Sequence, residues 1–248
     1  MANTLAMQLY SLREYEGGWD AAFDAVRSLG IDTIEAWCGA VPNDPDAATS
    51  IDSLRASLDR AGLKLTCGHL TVAEYGERYD EWKRFLLDYG SRDWVIPFAK
   101  ADSLDEWLAL LPVFREMSAR LQADGLSLGY HNHHMELVKY GDSYVMEHLL
   151  DGMPELRAQF HIGQFLPSRG IRLPDWIRKY EGRVCSIHVN DAGTDGPARL
   201  GKGDCLAEDS IKAALDTGVD TFIVEVSLTR ATLDDVKHDV EVTRKLIC

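Results

Sequence analysis

The sequence predicts a single-domain (β/α)8 TIM barrel over residues 1–248, and three observations predict it. Seven amphipathic stretches each close on a glycine, at Gly30, Gly62, Gly90, Gly125, Gly152, Gly182 and Gly218, and a short apolar run follows each within a few residues. Glycine just past a helix end takes the left-handed cap conformation at little steric cost, so each marks a passage from helix to strand. With the opening run Leu5-Ala6-Met7-Gln8-Leu9 they make eight strands, an average repeat of about thirty residues, which suits a strand, a helix and two loops. Finally, five of the eight histidines and one glutamate stand where apolar runs give out, and a barrel of parallel strands gathers its strand ends at one rim.

The elements follow in order. The first strand lies near Leu5; Trp19, Phe23, Val26 and Leu29 then fall on one helical face, and the second strand enters near Thr33. The third strand, near Leu63, ends in Cys67-Gly68-His69, and Tyr79, Trp82, Phe85 and Tyr89 share the next helical face before a strand near Trp94. Leu104, Trp107, Leu108, Leu111, Phe114 and Leu121 keep the helical period less cleanly, because Pro112 is expected to start or kink a helix there. Strands five to eight lie near Ser127, Gln159, Val184 and Thr221, and end in Tyr130-His131-Asn132-His133, Phe160-His161, Ile187-His188 and Val224-Glu225. The stretches Pro42–Asp46 and Asp191–Pro197 read as rim loops after the second and seventh strands. A doubly wound open sheet tolerates the same alternation, but closes with fewer units and expects a nucleotide loop that is missing here.

Composition bounds the function. Hydrophobic content of 46% and aromatic content of 9% can fill a barrel and its helix layer. No stretch approaches the roughly twenty apolar residues of a membrane span. The start Met1-Ala2-Asn3-Thr4 has no basic region and runs straight into a strand, and five cysteines without paired spacing argue for a reducing compartment, so the expected location is cytoplasmic. Cys67 and Cys185 read as packing residues within strands. A formal charge of −14 repels phosphate backbones, so neither nucleic acid nor a membrane is the expected partner, while a homo-oligomer stays open.

The strongest local signal is Gly129-Tyr130-His131-Asn132-His133-His134-Met135-Glu136. Alternate residues of a strand face the same way, so His131 and His133 point together and either grip one cation or divide the work of ligand and base; two structural histidines are the plain alternative. His134 faces the other way, either supporting the site residues from behind or meeting solvent. His188 ends a strand in the same register, and His161 opens a turn where it can face the axis beside it. Glu225 follows a buried run, where a lone carboxylate is costly unless it binds metal or pairs, with Arg230 as the structural candidate.

At these residues the chain resembles the xylose isomerase-like superfamily of sugar phosphate isomerases and epimerases. The resemblance rests on Gln8-Leu9-Tyr10-Ser11-Leu12, Gly30-Ile31-Asp32-Thr33-Ile34-Glu35, Tyr130-His131-Asn132-His133, and His188-Val189-Asn190-Asp191 with Gly201-Lys202-Gly203-Asp204. It implies one divalent cation held at the ends of strands five to eight. Carried over, the histidine ligand falls on His188 and the last glutamate on Glu225, while His161 stands at an aspartate position and His131 at a glutamate position, with Glu136 able to reach the same ion. Imidazoles in place of hard oxygens shift the expected metal from Mg toward Mn, Fe, Co, Ni or Zn. A lysine often found two residues after the histidine is Asn190 here.

The implied chemistry is proton movement next to a carbonyl in a small sugar, polyol or keto-sugar, by an isomerase, an epimerase or a related lyase. Glu225 is the candidate catalytic group on one side, with His133 or Glu136 on the other; Gln8, Glu35 and His69 are expected to bind hydroxyls. Trp37, Trp94 and Phe165 are candidates to stack on the substrate, with core packing favoured for Trp94. No glycine-rich phosphate cradle is evident, which favours an unphosphorylated substrate. Two other readings remain: a sugar-binding barrel whose altered ligands no longer hold metal, and a metallo-endonuclease, which the acidic balance disfavours.

Overall fold

The computed structural model describes residues 2–13, 15, 17–39, 51–166, 170–226 and 232–248. The Pro42–Asp46 loop and Arg230 lie outside these. Strands form where the apolar runs stand: β1 Thr4–Gln8, β2 Thr33–Trp37, β3 Lys64–His69, β4 Asp93–Ile96 and β5 Ser127–His131. A small hairpin, β6 Lys139–Tyr140 and β7 Ser143–Tyr144, precedes β8 Arg157–His161 and β9 Val184–Val189. A second hairpin, β10 Asp191–Gly193 and β11 Gly196–Ala198, occupies the segment expected to be a plain loop, and β12 Thr221–Val224 completes the set. The helices are α1 Gly18–Ser28, α2 Ile51–Ala61, α3 Val72–Asp88, α4 Leu104–Ala123, α5 Val145–Gly152, α6 Leu173–Lys179, α7 Ala207–Asp216 and α8 Leu233–Ile247.

Parallel pairing runs β1-β12-β9-β8-β5-β4-β3-β2 and closes, with Thr4 to Met7 opposite Thr221 to Val224 at one seam and Gln8 opposite Glu35 at the other. Side chains alternate along each strand, so every second residue enters the barrel. At one level these are Ala6, Cys67, Val95 and Ile223, a small apolar cluster separate from the main core. Two residues further along, the same strands supply Gln8, His69 and Glu225, so the interior changes from apolar to polar toward the carboxyl ends. The main core lies between sheet and helices, where Trp82, Trp94, Trp107, Phe114 and Phe160 are buried.

Six of the seven predicted caps are as expected: Gly30, Gly62, Gly90, Gly125, Gly182 and Gly218 have φ between +61 and +80. Gly152 departs from the pattern. It is the last residue of α5 and has no left-handed conformation; a Cβ there would stand 2.9 Å from Leu111 Cδ1, so glycine permits α5 to approach α4. Pro112 also departs from expectation, for α4 runs through it from Leu104 to Ala123. Ser103 caps that helix by accepting from the Glu106 N–H, and Leu111, Phe114, Met117 and Leu121 bury one face on both sides of the proline, so packing outweighs the one missing backbone donor.

These two roles for glycine separate experimentally. Gly62→Ala is expected to lower unfolding free energy by about 1–2 kcal/mol, the cost of left-handed backbone for an ordinary residue. Gly152→Ala should change it by less, because only one Leu111 methyl must move and alanine gains about 1 kcal/mol of helix propensity. Equal losses in urea denaturation would show that both glycines act as caps.

Candidate metal centre and its cavity

Hydrogen bonds inside the barrel determine which ring nitrogen of each histidine carries hydrogen. Gln8 Oε1 accepts from the Tyr10 N–H at 3.1 Å, which turns its amide nitrogen inward, where it donates to Glu35 Oε2 and, at 3.2 Å, to His69 Nδ1. His69 therefore carries its hydrogen on Nε2 and donates to Gln159 Oε1 at 2.5 Å. The Gln159 amide is held by its own donations to Glu35 Oε1 at 2.7 Å and Ser186 Oγ at 2.8 Å. Its oxygen also accepts from His131 Nδ1 at 2.9 Å, which leaves His131 Nε2 as a lone pair. That lone pair faces His161 Nδ1 at 3.0 Å.

His188 is held differently. Nε2 lies 2.6 Å from Glu35 Oε2 and Nδ1 lies 2.7 Å from Glu225 Oε2, so both ring nitrogens donate to carboxylates. Burial opposes the charge on this ring, but the Glu35 charge and the hydrogen bonds to Glu225 and Glu35 overcome it and raise its pKa to about 9. Burial likewise opposes ionisation of Glu35, yet the His69 and His188 rings, with hydrogen bonds from His188 and the Cys67 thiol, lower its pKa to about 2. Glu225 is also held well below the usual carboxylate range, against burial, by the imidazoles around it. The other rings go the opposite way: burial lowers the pKa of His69, His131 and His133, and brings His161 to about 3.

Ligand atoms of His131, His161, His188 and Glu225 all lie within 4.8 Å of one another, and all four residues are buried. This donor set fits a first-row divalent ion. Three imidazoles and one carboxylate suit it chemically, and His131 and His188 are backed by acceptors, Gln159 Oε1 and Glu35, as ligating imidazoles require. Charge agrees, since two carboxylates face one imidazolium and leave an excess of one negative charge. A second trio, Glu35, His69 and His188, meets the same distance limit, but hydrogen bonds already engage Glu35 and both nitrogens of His69.

Above the cluster opens a cavity of about 370 Å³. Gln8, His69, His131, His133, His161 and Glu225 form its polar lining, and Tyr10, Arg13, Trp37, Pro97, Phe98 and Gln164 complete the wall. His133 Nδ1 is buried and has no hydrogen-bond partner among the described residues. Trp37 stands edge-on to Tyr10 at 4.7 Å, and Arg13 stacks on Tyr10 at 3.9 Å.

The structure brings His131, His161, His188 and Glu225 together and places His133, Gln8, His69 and Trp37 on the cavity, while His134 is exposed. Other expectations are corrected. Glu136 is outside both the ligand group and the cavity: its oxygens accept from Tyr130 Oη at 2.7 Å and from the His133 N–H at 2.8 Å, so it pins the chain after β5. Glu35 does not reach the cavity to bind hydroxyls; it is fully buried beneath it, with Cys67, read as simple packing, donating to it at 2.8 Å. Phe165 packs edge-on against Phe160 and Trp176 rather than facing a ligand, whereas Trp94 is a core residue as favoured, buried with Nε1 donating to Leu70 O. The Asp191 and Gly201–Asp204 motifs prove structural, because the Asp191 carboxylate accepts from the N–H groups of Ala192, Gly201, Gly203 and Cys205.

Sequence reasoning missed Gln159, Arg13, Phe98 and the role of Asn190. Gln159 was findable, since it lies two residues before His161 on one strand and so shares its face. Phe98 stands two residues past the end of β4, whereas nothing about Arg13 in sequence distinguishes it from a surface cation.

The proton on His188 couples to stability. Because its folded pKa of about 9 exceeds the ordinary 6.5, its contribution to the metal-free fold is complete below about pH 6.5 and is lost as pH rises through about 9. Melting temperature of metal-free protein should fall across that window, and His188→Gln should flatten the fall. An unchanged slope in the variant would place the titration elsewhere.

No family model and no curated protein matches the sequence. Solved structures do match over the whole chain. One is a sugar phosphate isomerase/epimerase from Parabacteroides distasonis ATCC 8503, 16% identical, with a TM-score of 0.76 over 100% of this chain and 96% of that one. Another is the probable 3-DHS dehydratase AsbF, involved in petrobactin synthesis, from Bacillus anthracis, 12% identical, with a TM-score of 0.73 over 97% and 98%. A third is a xylose isomerase-like TIM barrel protein from Mycobacterium smegmatis in complex with magnesium, 16% identical, with a TM-score of 0.71 over 99% and 96%. The protein thus has the fold of the xylose isomerase-like TIM barrels, the group to which its sequence motifs pointed.

Proposed function

We propose that this protein is a divalent-metal-dependent isomerase, epimerase or related lyase that moves a proton next to the carbonyl of a small sugar, polyol or keto-sugar. The observation that carries the proposal is the convergence of four buried ligand groups at the floor of a cavity that also exposes an uncommitted histidine. His131, His161, His188 and Glu225 are the residues that would hold the ion, and Mn, Fe, Co, Ni or Zn suits them better than Mg. Bound there, the ion would polarise a substrate carbonyl and stabilise negative charge on the enediolate, a contribution of several kcal/mol.

The chain's own groups supply the proton transfer. At neutral pH His133 is an uncharged ring and Glu225 a carboxylate, so both stand in proton-accepting form. A group that takes a proton from carbon can return it to the neighbouring carbon or oxygen, as isomerisation requires. Gln8 and His69 would orient hydroxyls, and Trp37 with Phe98 offers apolar surface to a sugar face. The charge of −14 favours a small carbohydrate over nucleic acid, and no described helix is long and apolar enough to cross a membrane. A cytoplasmic location accords with five cysteines that form no disulfide among the described residues, and self-association is open to test.

The first experiment is elemental analysis of protein purified without chelator, followed by isomerisation, epimerisation and dehydration assays on a panel of keto-sugars. His188→Ala should lose most of the metal and turnover together while circular dichroism shows a folded barrel; stoichiometric metal in that variant would refute the ligand set. His133→Ala should keep the ion and lower kcat by about 10²–10⁴, the usual worth of a positioned acid or base. An unchanged kcat removes His133 from that role, and failure of wild-type protein to take up any divalent ion leaves only the sugar-binding reading.

A further inference from the structure

Among the four inward groups, His161 is wired unlike the others. Its outward nitrogen, Nε2, contacts the amide nitrogen of Asn190. The orientation of that amide is not free, because Asn190 Oδ1 accepts from the Gly163 N–H at 2.7 Å. The approach is so close that a Cβ at residue 163 would stand 2.7 Å from the same oxygen, so glycine there is a condition of the arrangement. Asn190 is 4% exposed and cannot exchange this bond for one to bulk water. An amide N–H donates, so His161 Nε2 must accept, and the hydrogen of this ring sits on Nδ1, the nitrogen that faces His131 and, at 3.8 Å, Glu225 Oε2. His131 and His188 instead present acceptors to their outward nitrogens, Gln159 Oε1 and Glu35 Oε2. A neutral imidazole ligates through one nitrogen only when the other can give its hydrogen to an acceptor.

We infer that His161 enters the site as an N–H donor set by Asn190, and that the cation is held by His131, His188 and Glu225 alone. This rests on the metal reading above and narrows its four candidate ligands to three, moving His161 from ligand to donor. Asn190 is a positioning residue: it decides which of two chemistries His161 presents. Three protein ligands would leave positions for substrate oxygens, and His161, which lines the cavity and in the metal-free site turns Nδ1–H to His131 Nε2, would serve there as a neutral hydrogen-bond donor to developing negative charge.

Two measurements test this, and the first needs no metal. Long-range ¹H–¹⁵N correlation on metal-free protein, with His161 assigned by its loss in His161→Gln, should show Nδ1 bearing hydrogen and Nε2 unprotonated; the reverse pattern overturns the inference even if the protein never binds metal, and the expected pattern upholds the tautomer even if the metal reading fails. The second is chelator competition with Zn²⁺ at fixed pH. His161→Gln should change wild-type affinity less than about threefold. Asn190→Asp keeps one oxygen for Gly163 and offers the other to Nε2–H, so it should tighten binding by about 10–100-fold, the usual effect of a partner behind a ligating imidazole. That gain must vanish in Asn190→Asp/His161→Gln. A tenfold or greater loss in His161→Gln alone, or a gain that survives in the double variant, overturns the three-ligand assignment.

Discussion

The carboxylate of Glu35, fully buried at the centre of the barrel, is the group on which the site depends. An ionised carboxylate in that position is tolerable only if donors surround it. It has four: Gln8, Cys67, Gln159 and His188. Meeting that demand commits two amides and one imidazole to a single orientation, and their orientation commits others in turn. With its nitrogen turned to Glu35, Gln159 has only its oxygen left for His69 and His131, and His131 must then present a lone pair to the cavity. One buried charge thus orders a run of neutral groups that could otherwise adopt several hydrogen-bonded patterns, and it does so before any ligand arrives.

The fold was legible because it rests on repeated local rules. Strand starts at Thr33, Ser127, Val184 and Thr221 fall where the apolar runs begin, and six glycines take the left-handed cap conformation that their spacing implied. The two departures share a cause. Gly152 and Pro112 were read from backbone preference alone, whereas packing decides both: Gly152 lies against Leu111 of α4, and the face that α4 buries from Trp107 to Leu121 carries the helix through the exposed Pro112. Local propensity is a weak prior wherever tertiary contact supplies more than about 1 kcal/mol per residue.

The site was half legible for a related reason. Alternation along strands tells which residues enter the barrel, and so His131, His161, His188 and Glu225 could be named as convergent. It does not tell at what depth a side chain stops. Glu35 was read as a hydroxyl-binding group and Glu136 as a ligand or base because each stands at or just beyond a strand end; each proved instead to hold neighbours in place, below the floor for one and beside β5 for the other. Distinguishing a polar group that meets substrate from one that aims such a group requires hydrogen-bond partners from other strands, and those follow from pairing register rather than from composition.

The charge state of the cluster links these parts. In the absence of a cation, His188 holds a proton between Glu35 and Glu225, and the other four rings stay neutral because burial and mutual repulsion oppose a second charge. A divalent ion meeting Glu225 and the Nδ1 side of His188 would displace that proton, exchange one positive charge for two, and cancel the excess negative charge left on the carboxylates. Nε2 of the same ring already donates to Glu35, so the ligand would be aimed in the same way before and after such an exchange. On the proposed metal reading the arrangement would have two electrostatically acceptable states, one closed by a proton and one by a metal, with the same network beneath the floor serving both. Preorganisation of this kind removes reorganisation from the cost of binding, which is why a barrel commits so many buried polar side chains to positions that no substrate touches.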